Sequence, residues 1–517
     1  MNTNTDTNLD PYLHDKTGTW PPPKWAPIYK QMNTWASWWN GTPQIANGNR
    51  FNNRETQGNR PSRPDLHIPI AADLARTSAD LLYSTPPVIA TEDKNTPTDE
   101  AITTYQDLGL LDELLSGAEV GATMGGRFHR VTIDPAISNR PFLTTIDPNC
   151  VIPTFTWGRL TAATCWTIIA QENTVTWRHV EHHHLDAQGN GLIEHALYEG
   201  SPTQIGHRVP LTDRPETTPL AATVNEQAQA NQPLTPGLFI TYYPNLTPQR
   251  RWRALPHATH LGRSDLDGLD GLMDALDETY SSWMRDLRLG KARVLIAKDL
   301  LEQDAHGQPV FDLDQEIFTP LDGLIPAKAD QLALQPVQFQ IRVTEHLATI
   351  QELTAQIVRA AGYSQATFAE HDNDTDVTAT EIKAREKRTL TTRDRKIRLE
   401  TRALTETIHK MLTIDHELNP GENLDPESIK ITFPPLAQES IANLSQTAAT
   451  LKNASLTSLQ TALELLHPEW DAQQVSEETA RIQRENQTII DPEQWRPRTG
   501  KTLTNMQPET SESSEQE

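Results

Sequence analysis

The sequence predicts an α+β protein organised around paired long helices. Three observations predict it. Period-two segments crowd the first half of the chain, strong helical stripes fill the second, and a long polar stretch separates two of those helices. Strands followed by helices, rather than the two alternating, is the order expected of segregated α+β layers.

Composition bounds the rest. The chain has 517 residues, of which 36% are hydrophobic, and a formal net charge of −24. Length permits more than one domain. A hydrophobic share this low favours an extended, many-lobed subunit or an assembly. So acidic a chain argues against wrapping nucleic acid, which takes clustered Lys and Arg. It leaves room for a protein past which DNA slides without being held. Cys150 and Cys165 are the two cysteines; they make no disulfide framework and suit a reducing compartment. No basic-then-apolar leader opens the chain, and no run nears the ~18 apolar residues of a membrane helix. A soluble protein without a membrane partner is expected.

Residues 1–24 read as a mobile arm ending at Pro21-Pro22-Pro23. Trp25, Trp35, Trp38 and Trp39 follow in a helical segment, as core anchor or subunit contact. Ile70, Leu74, Leu81 and Leu82 mark a helix that stops before Pro86-Pro87. A second, over 110–118, stops near Gly121, Gly125 and Gly126. Strands are expected over 128–133, 151–155, 162–169, 175–180 and 238–243, with a hairpin turn at Asn190-Gly191. The Pro- and Thr-rich stretch 212–236 reads as an exposed excursion.

A long helix is expected to open at Ser264. Leu266, Leu269, Leu272, Met273, Leu276, Tyr280, Trp283, Met284 and Leu287 form its stripe. Asp265, Asp267, Asp270 and Asp274 sit at its start, and Arg285 and Arg288 at its end, which suits the helix dipole. Its length would be about 38 Å. Gly268 and Gly271 would each cost it roughly 1 kcal/mol against Ala. Strands at 292–300 and 310–318 then suggest a small α/β insert. The next helix carries Ile341, Leu347, Ile350, Leu353 and Ile357, and Gly362 is placed to stop it.

After the polar stretch 363–377, Thr378 and Glu381 form a capping box for a further helix with Ile382, Leu390, Ile397, Leu404, Ile408 and Met411. Helix connections usually run about 2–8 residues, so the stretch between is too long for a simple turn. The second helix carries Lys383, Arg385, Lys387, Arg388, Arg393, Arg395, Lys396, Arg398 and Arg402 against Glu386, Asp394 and Glu400. A helix polar on most faces is not read as a buried core helix. Water, a partner subunit or a polyanion should lie beside it, and i,i+4 pairs such as Glu381–Arg385 and Asp394–Arg398 would lace a solvated face. Beyond it come a strand at 429–433, helices over 438–451, 455–466 and 471–486, and a polar tail.

Several blocks of this region, in order, resemble the portal proteins of tailed bacteriophages. They are Gly362-Tyr363-Ser364, Thr367-Phe368, Thr378-Ala379-Thr380-Glu381-Ile382, Arg385-Glu386, and Thr392-Arg393 with Lys396. Asp65-Leu66-His67-Ile68-Pro69, Asp73-Leu74-Ala75-Arg76, and Ser282-Trp283-Met284-Arg285-Asp286 with Gly290 agree. The type is that of long-tailed phages of Gram-positive, especially actinobacterial, hosts. The resemblance implies a portal fold with a mixed wing (25–263, with return strand 416–437) and stem helices (264–290 and 341–362) around a small α/β clip (291–340). It further implies a tunnel loop (363–377), a long tunnel helix (378–415), a helical crown (438–486) and a disordered tail (487–517).

It implies no enzyme and no cofactor, but a ring, dodecameric by family habit, at one capsid vertex. Double-stranded DNA would pass through without sequence-specific binding. Terminase large subunit, head-completion or connector proteins, and capsid and scaffold proteins would be partners. The virion would be its place, after assembly in the host cytoplasm. Thr367, Phe368, Glu370, Asp372, Asp374 and Asp376 would face DNA in the loop. Thr378, Glu381, Arg385, Arg393 and Lys396 would belong to the tunnel helix, and Trp283, Arg285, Asp286 and Arg288 to the stem.

Other chemistry reads weakly. His179, His182, His183 and His184 invite a metal, and a metal-dependent hydrolase is the enzymatic alternative; but neighbours on a strand point to opposite faces, so two or three at most converge. Asp372, Asp374 and Asp376 start a calcium-loop pattern that fails at Val377 and Lys383. Gly500-Lys501-Thr502 lacks the first glycine of a phosphate-binding loop, since Trp495 stands there. A minor head protein is the structural alternative.

Overall fold

The first half of the chain builds two antiparallel sheets, and the long helices between residues 270 and 418 are laid against them. The computed structural model describes residues 18–43, 66–91, 95–225, 229–230, 232–289, 293–297, 318–321, 334–337, 341–368, 379–435, 441–454, 456–467, 470 and 472–487. The chain divides into two compact units, Met1–Leu436 and Ala437–Glu517.

In the first unit, helices α1 (Ala26–Trp39) and α2 (Ile70–Tyr83) precede strand β1 (Val88–Thr91). Helices α3 (Thr96–Asp107) and α4 (Leu110–Met124) precede β2 (Gly126–Thr132) and β3 (Phe142–Ile146). Strands β4 (Val151–Thr156), β5 (Arg159–Glu172), β6 (Val175–Leu185), β7 (Gly191–Ser201) and β8 (Gln204–Val209) form an antiparallel meander in that order. After the short α5 (Thr218–Ala221), β9 (Ile240–Pro244) pairs with the side of β2 away from β3.

Helix α6 (Asp270–Leu289) leads to β10 (Arg293–Ala297), β11 (Phe318–Leu321) and β12 (Leu334–Val337). Strand β10 pairs parallel with β11 and antiparallel with β12. Helix α7 (Val343–Ala361) then packs against α6. Helix α8 (Ala379–Leu418) has 40 residues, about 60 Å at helical rise. It lies against β9, β2 and α2. Strand β13 (Ile429–Thr432) returns to pair antiparallel with β1. The second unit holds α9 (Ile441–Asn453), α10 (Leu459–Leu466) and α11 (Ala472–Gln487), each packed on the next. Among the described residues no helix is long and apolar enough to cross a membrane.

Two apolar clusters hold the first unit. One joins Trp25, just ahead of α1, and Trp35 and Trp38 of α1 to Ile152 and Val180 of the five-stranded sheet, Met273 and Leu276 of α6, and Ile357 and Val358 of α7. The tryptophans are therefore core anchors, and Trp39 at the edge donates Nε1–H to Glu119 at 2.8 Å. The other cluster joins α2, α3 and α4 to Leu404, Ile408, Met411 and Leu412 of α8.

Sequence and structure part in places. The helix expected from Ser264 begins at Asp270. Gly268 has φ +84°, so it turns the chain ahead of the helix instead of weakening its interior. The preceding residues are drawn inward, with Asp265 buried. Helix α3 and strands β1, β3 and β8 carried too weak a pattern to be foreseen. Of the strand expected at 310–318, only Phe318 lies among the described residues, as the first residue of β11.

Candidate functional site

Helix α8 has two faces, and the one turned inward carries charge. Thr389, Thr392, Arg393, Lys396, Glu400, Thr407, Lys410 and Asp415 are all buried. They recur at three- and four-residue steps, in register with Leu404, Ile408 and Met411. Lys396 is only 2% exposed. Its ammonium donates to Asp265 Oδ2 at 2.6 Å, Ser78 Oγ at 2.5 Å and Tyr363 Oη at 3.1 Å. Tyr363 Oη in turn donates to Asp265 at 2.7 Å, and Asn245 donates to the other carboxylate oxygen at 2.9 Å. Burial pulls the Lys396 ammonium down, and Asp265 opposes it. One node therefore ties α8 to α2, to the chain before α6 and to the residue after Gly362.

One turn further, Glu400 accepts both arms of Arg127 at 2.9 Å each, and Tyr83 Oη donates to it at 2.9 Å. Arg127 Nε donates to His129 at 2.8 Å, and its guanidinium stacks over Tyr243, 4.7 Å from the ring centre. A Cβ on Gly117 would come within 2.7 Å of His129 and 2.9 Å of Arg127, so only glycine lets α4 pass this pair. Asp415 accepts from Tyr105 at 2.6 Å, Asn419 at 2.7 Å and Arg140 at 2.5 Å. Lys410, without a carboxylate partner among the described residues, donates to Thr235 Oγ1 at 2.6 Å and to the carbonyls of Pro236 at 2.9 Å and Gly237 at 2.8 Å. Burial pushes its pKa down to about 7, and these oxygens work against that shift. Arg393 donates to the carbonyl of Leu81, in the last turn of α2, and to that of Pro434, both at 2.6 Å. It thereby satisfies one of the acceptors a helix leaves open at its C-terminus.

The outer face carries six more residues of the basic run. Arg385, Lys387, Arg388, Arg395, Arg398 and Arg402 are exposed, with Asp394 beside them. Arg398 Nε donates to the carbonyl of Asp394 at 3.3 Å. At 100° per residue, Lys387, Arg388, Arg395, Arg398 and Arg402 fall on one stripe opposite the buried face. The expectation that so polar a helix stays out of the interior is thus corrected: Arg393 and Lys396 are inside, each with its own acceptors, while Arg385, Lys387, Arg388, Arg395, Arg398 and Arg402 are outside.

Between α7 and α8 the chain leaves Gly362 in the left-handed region, φ +104°. Thr392 Oγ1 donates to the carbonyl of Gly362 at 2.6 Å, and Ser364 Oγ donates to that of Arg385 at 2.7 Å. The hydroxyls of Thr367 and Thr389 share a hydrogen bond at 2.7 Å, and Phe368 meets the Tyr363 ring edge-on at 6.1 Å. The first residues of this segment are therefore fastened along α8. Glu370, Asp372, Asp374, Asp376 and Thr378 lie outside the described residues, and Glu381 is described only as part of the helix.

A sequence profile of the family described as "Phage portal protein, SPP1 Gp6-like" matches residues 23–491. The chain belongs to that phage portal family. It is a family of structural virion proteins, not of enzymes. A solved structure of the neck of a native GTA particle, computed with C12 symmetry, is 13% identical, with a TM-score of 0.34, and the match covers 77% of this chain and 89% of that one. No curated protein matches the chain.

In this portal chain the expected stem residues sit on α6, and Trp283 and Asp286 of them face α7. Asp286 accepts from His346 at 3.0 Å, with Arg342 at 3.7 Å. Trp283 lies parallel to the His346 ring at 6.1 Å. His346 and Arg342 hold the Asp286 carboxyl below its usual range. Arg288 donates to the Met284 carbonyl at 3.0 Å, and Arg285 is exposed.

The histidines of β6 were the other candidate site. His179, Glu181 and His195 come close enough to share an ion. Their geometry favours hydrogen bonding. His179 Nε2 and His195 Nδ1 are 3.1 Å apart with rings only 8° from parallel and centroids at 5.2 Å. That separation is what one N–H aimed at the other's lone pair gives, whereas ligands of one tetrahedral ion must converge at an angle. Arg130 occupies both oxygens of Glu181 at 2.5 Å. Burial pushes His195 and His182 down to about 4, so both are neutral near pH 7. Across the sheet His182 shares a hydrogen bond with Thr164 at 2.9 Å. The network lies along β6 and β7, where consecutive residues of both strands are buried.

Proposed function

We propose that this protein assembles into a ring of twelve at one capsid vertex of a long-tailed phage with an actinobacterial or other Gram-positive host. The ring is the channel for DNA packaging and ejection. It docks terminase large subunit during packaging, head-completion or connector proteins afterwards, and capsid and scaffold proteins around it, with assembly in the host cytoplasm. The family match across most of the chain carries the reading. In this reading residues 25–263 with 416–437 are the wing, α6 and α7 the stem, 291–340 the clip, 363–377 the tunnel loop, α8 the tunnel helix and 438–486 the crown.

The buried charges of α8 support a rod held rigidly in each subunit while its outer stripe and the segment beside it remain available. DNA has to move both ways, so tight phosphate binding would be a fault. Glu370, Asp372, Asp374 and Asp376 would repel the duplex and leave Thr367 and Phe368 as the fixed root of a steric collar. Trp283, Arg285, Asp286 and Arg288 would brace the stem below it. Class-averaged electron micrographs of the purified full chain test the reading. Rings with a central hole are expected, and a compact monomer at every concentration would overturn it. Replacing the four acids with Ala should alter packaging or DNA retention; unchanged packaging and retention would remove the charge component.

A further inference from the structure

The turn between β4 and β5 is built on the wrong residue for a free surface. Thr156 faces Arg159 in the register, leaving Trp157 and Gly158 as a two-residue loop. Their φ values are +53° and +76°, the pattern of a type I′ turn, whose first position ordinarily takes Asn, Asp or Gly. A bulky side chain in the left-handed region is an outlier. Here it is an indole 98% exposed to solvent. Folding of the subunit gains nothing from it.

The same hairpin carries a matching hollow at its other end. A cavity of about 430 Å³ opens there, and Cys150, Trp166, Ile168, Asp147, Arg130 and Glu181 are among its lining. It is roomy enough for an indole. Ile168 on its wall is 53% exposed. Charge matches as well: Arg159 beside the tryptophan and Asp147 of the cavity are both exposed, and neither pairs with a side chain among the described residues. Nine strand steps from Arg159 to Ile168 span roughly 30 Å, so Trp157 cannot reach its own cavity.

We propose that Trp157 of one subunit seats in the cavity of the next, with Arg159 set against Asp147. A knob and a hole at opposite ends of one hairpin make a head-to-tail contact, which repeats until a ring closes. The occupant is a second copy of this chain, so the inference rests on the ring reading and names a contact within it.

The test uses the full chain in three forms. Trp157→Asn keeps a residue suited to the left-handed turn and should leave far-UV circular dichroism unchanged, while lowering the ring population at least ten-fold at matched concentration. In a Cys150→Ser background, Trp157→Cys with Ile168→Cys should give a ladder of covalent multimers on oxidation. The roughly 30 Å between the two positions forbids a bridge within one subunit, since disulfide Cα atoms lie within about 7 Å. Neither single cysteine variant should give a ladder. Wild-type rings together with undiminished rings in Trp157→Asn and no ladder in the paired variant would overturn the inference alone. Absence of rings from the wild type would overturn the ring reading.

Discussion

The α6–α7 pair and helix α8 reverse what their patterns suggest. Helix α6 has a continuous apolar stripe, yet this pair leaves Leu287, Val343 and Leu347 exposed. Its polar contact, Asp286 with His346 and Arg342, is partly open to water. Helix α8 carries a dense run of charge, yet its inner face is closed over four polar nodes, at Lys396, Glu400, Lys410 and Asp415. An apolar stripe needs only one neighbour, so a two-helix hairpin can stand with its flanks bare. A buried charge needs a partner in a fixed place, so α8 is tied to definite positions on α2, α3, β2 and the chain before α6.

Breaking one partner of a node is the strongest way to test that contrast. Lys396→Met or Glu400→Gln should cost about 3–5 kcal/mol, because Asp265 or Arg127 is left buried and uncompensated. Urea unfolding measures it, and Lys396→Met combined with Asp265→Leu should recover part of the loss. A cost below that of an ordinary surface substitution would make the nodes incidental.

Acid should act next. His182 and His195 titrate at about 4 when folded because burial disfavours their charge, against about 6.5 unfolded. The unfolded chain binds more protons below pH 6.5, so stability is full above that pH and falls on the way to 4. Each unit crossed costs up to about 1.4 kcal/mol per histidine. The thermal midpoint should drop over this window, and less steeply in His195→Gln.

Gly117→Ala presses a methyl group onto His129 and Arg127 and should cost about 1–3 kcal/mol by overpacking. Calorimetry would show it as a lowered midpoint. Smallest of all, Arg398→Ala on the outer stripe should stay within about 0.5 kcal/mol of wild type. Its effect, if the stripe meets other molecules, belongs to assembly or to packaging. Asp286→Ala should likewise leave urea unfolding of the subunit unmoved, so a large loss there would erase the distinction between the two regions.

Much of this was legible beforehand. The α+β class, the meander around Asn190, the stop at Gly362 and the start of a helix just after Thr378 follow from period and turn chemistry. The portal family followed from separated blocks in order. The polar nodes left a signal too faint to read alone: Arg393, Lys396 and Glu400 fall on the same face as Leu404 and Ile408, where a solvated helix would keep its charges off the apolar stripe. Their partners Ser78, Arg127 and Asp265 lie far away in sequence and carry no local mark.

By itself the sequence determined the long helices and most of the central strands, because backbone preference and hydrophobic period act over a few residues. It determined family membership for the same reason, since ordered blocks survive as text. Only the tertiary structure decided which of the basic side chains of α8 are buried and which stand on the surface. Burial of such a group depends on whether an opposite charge or a set of acceptor oxygens arrives within hydrogen-bonding reach, and that is settled by chain segments far apart in sequence.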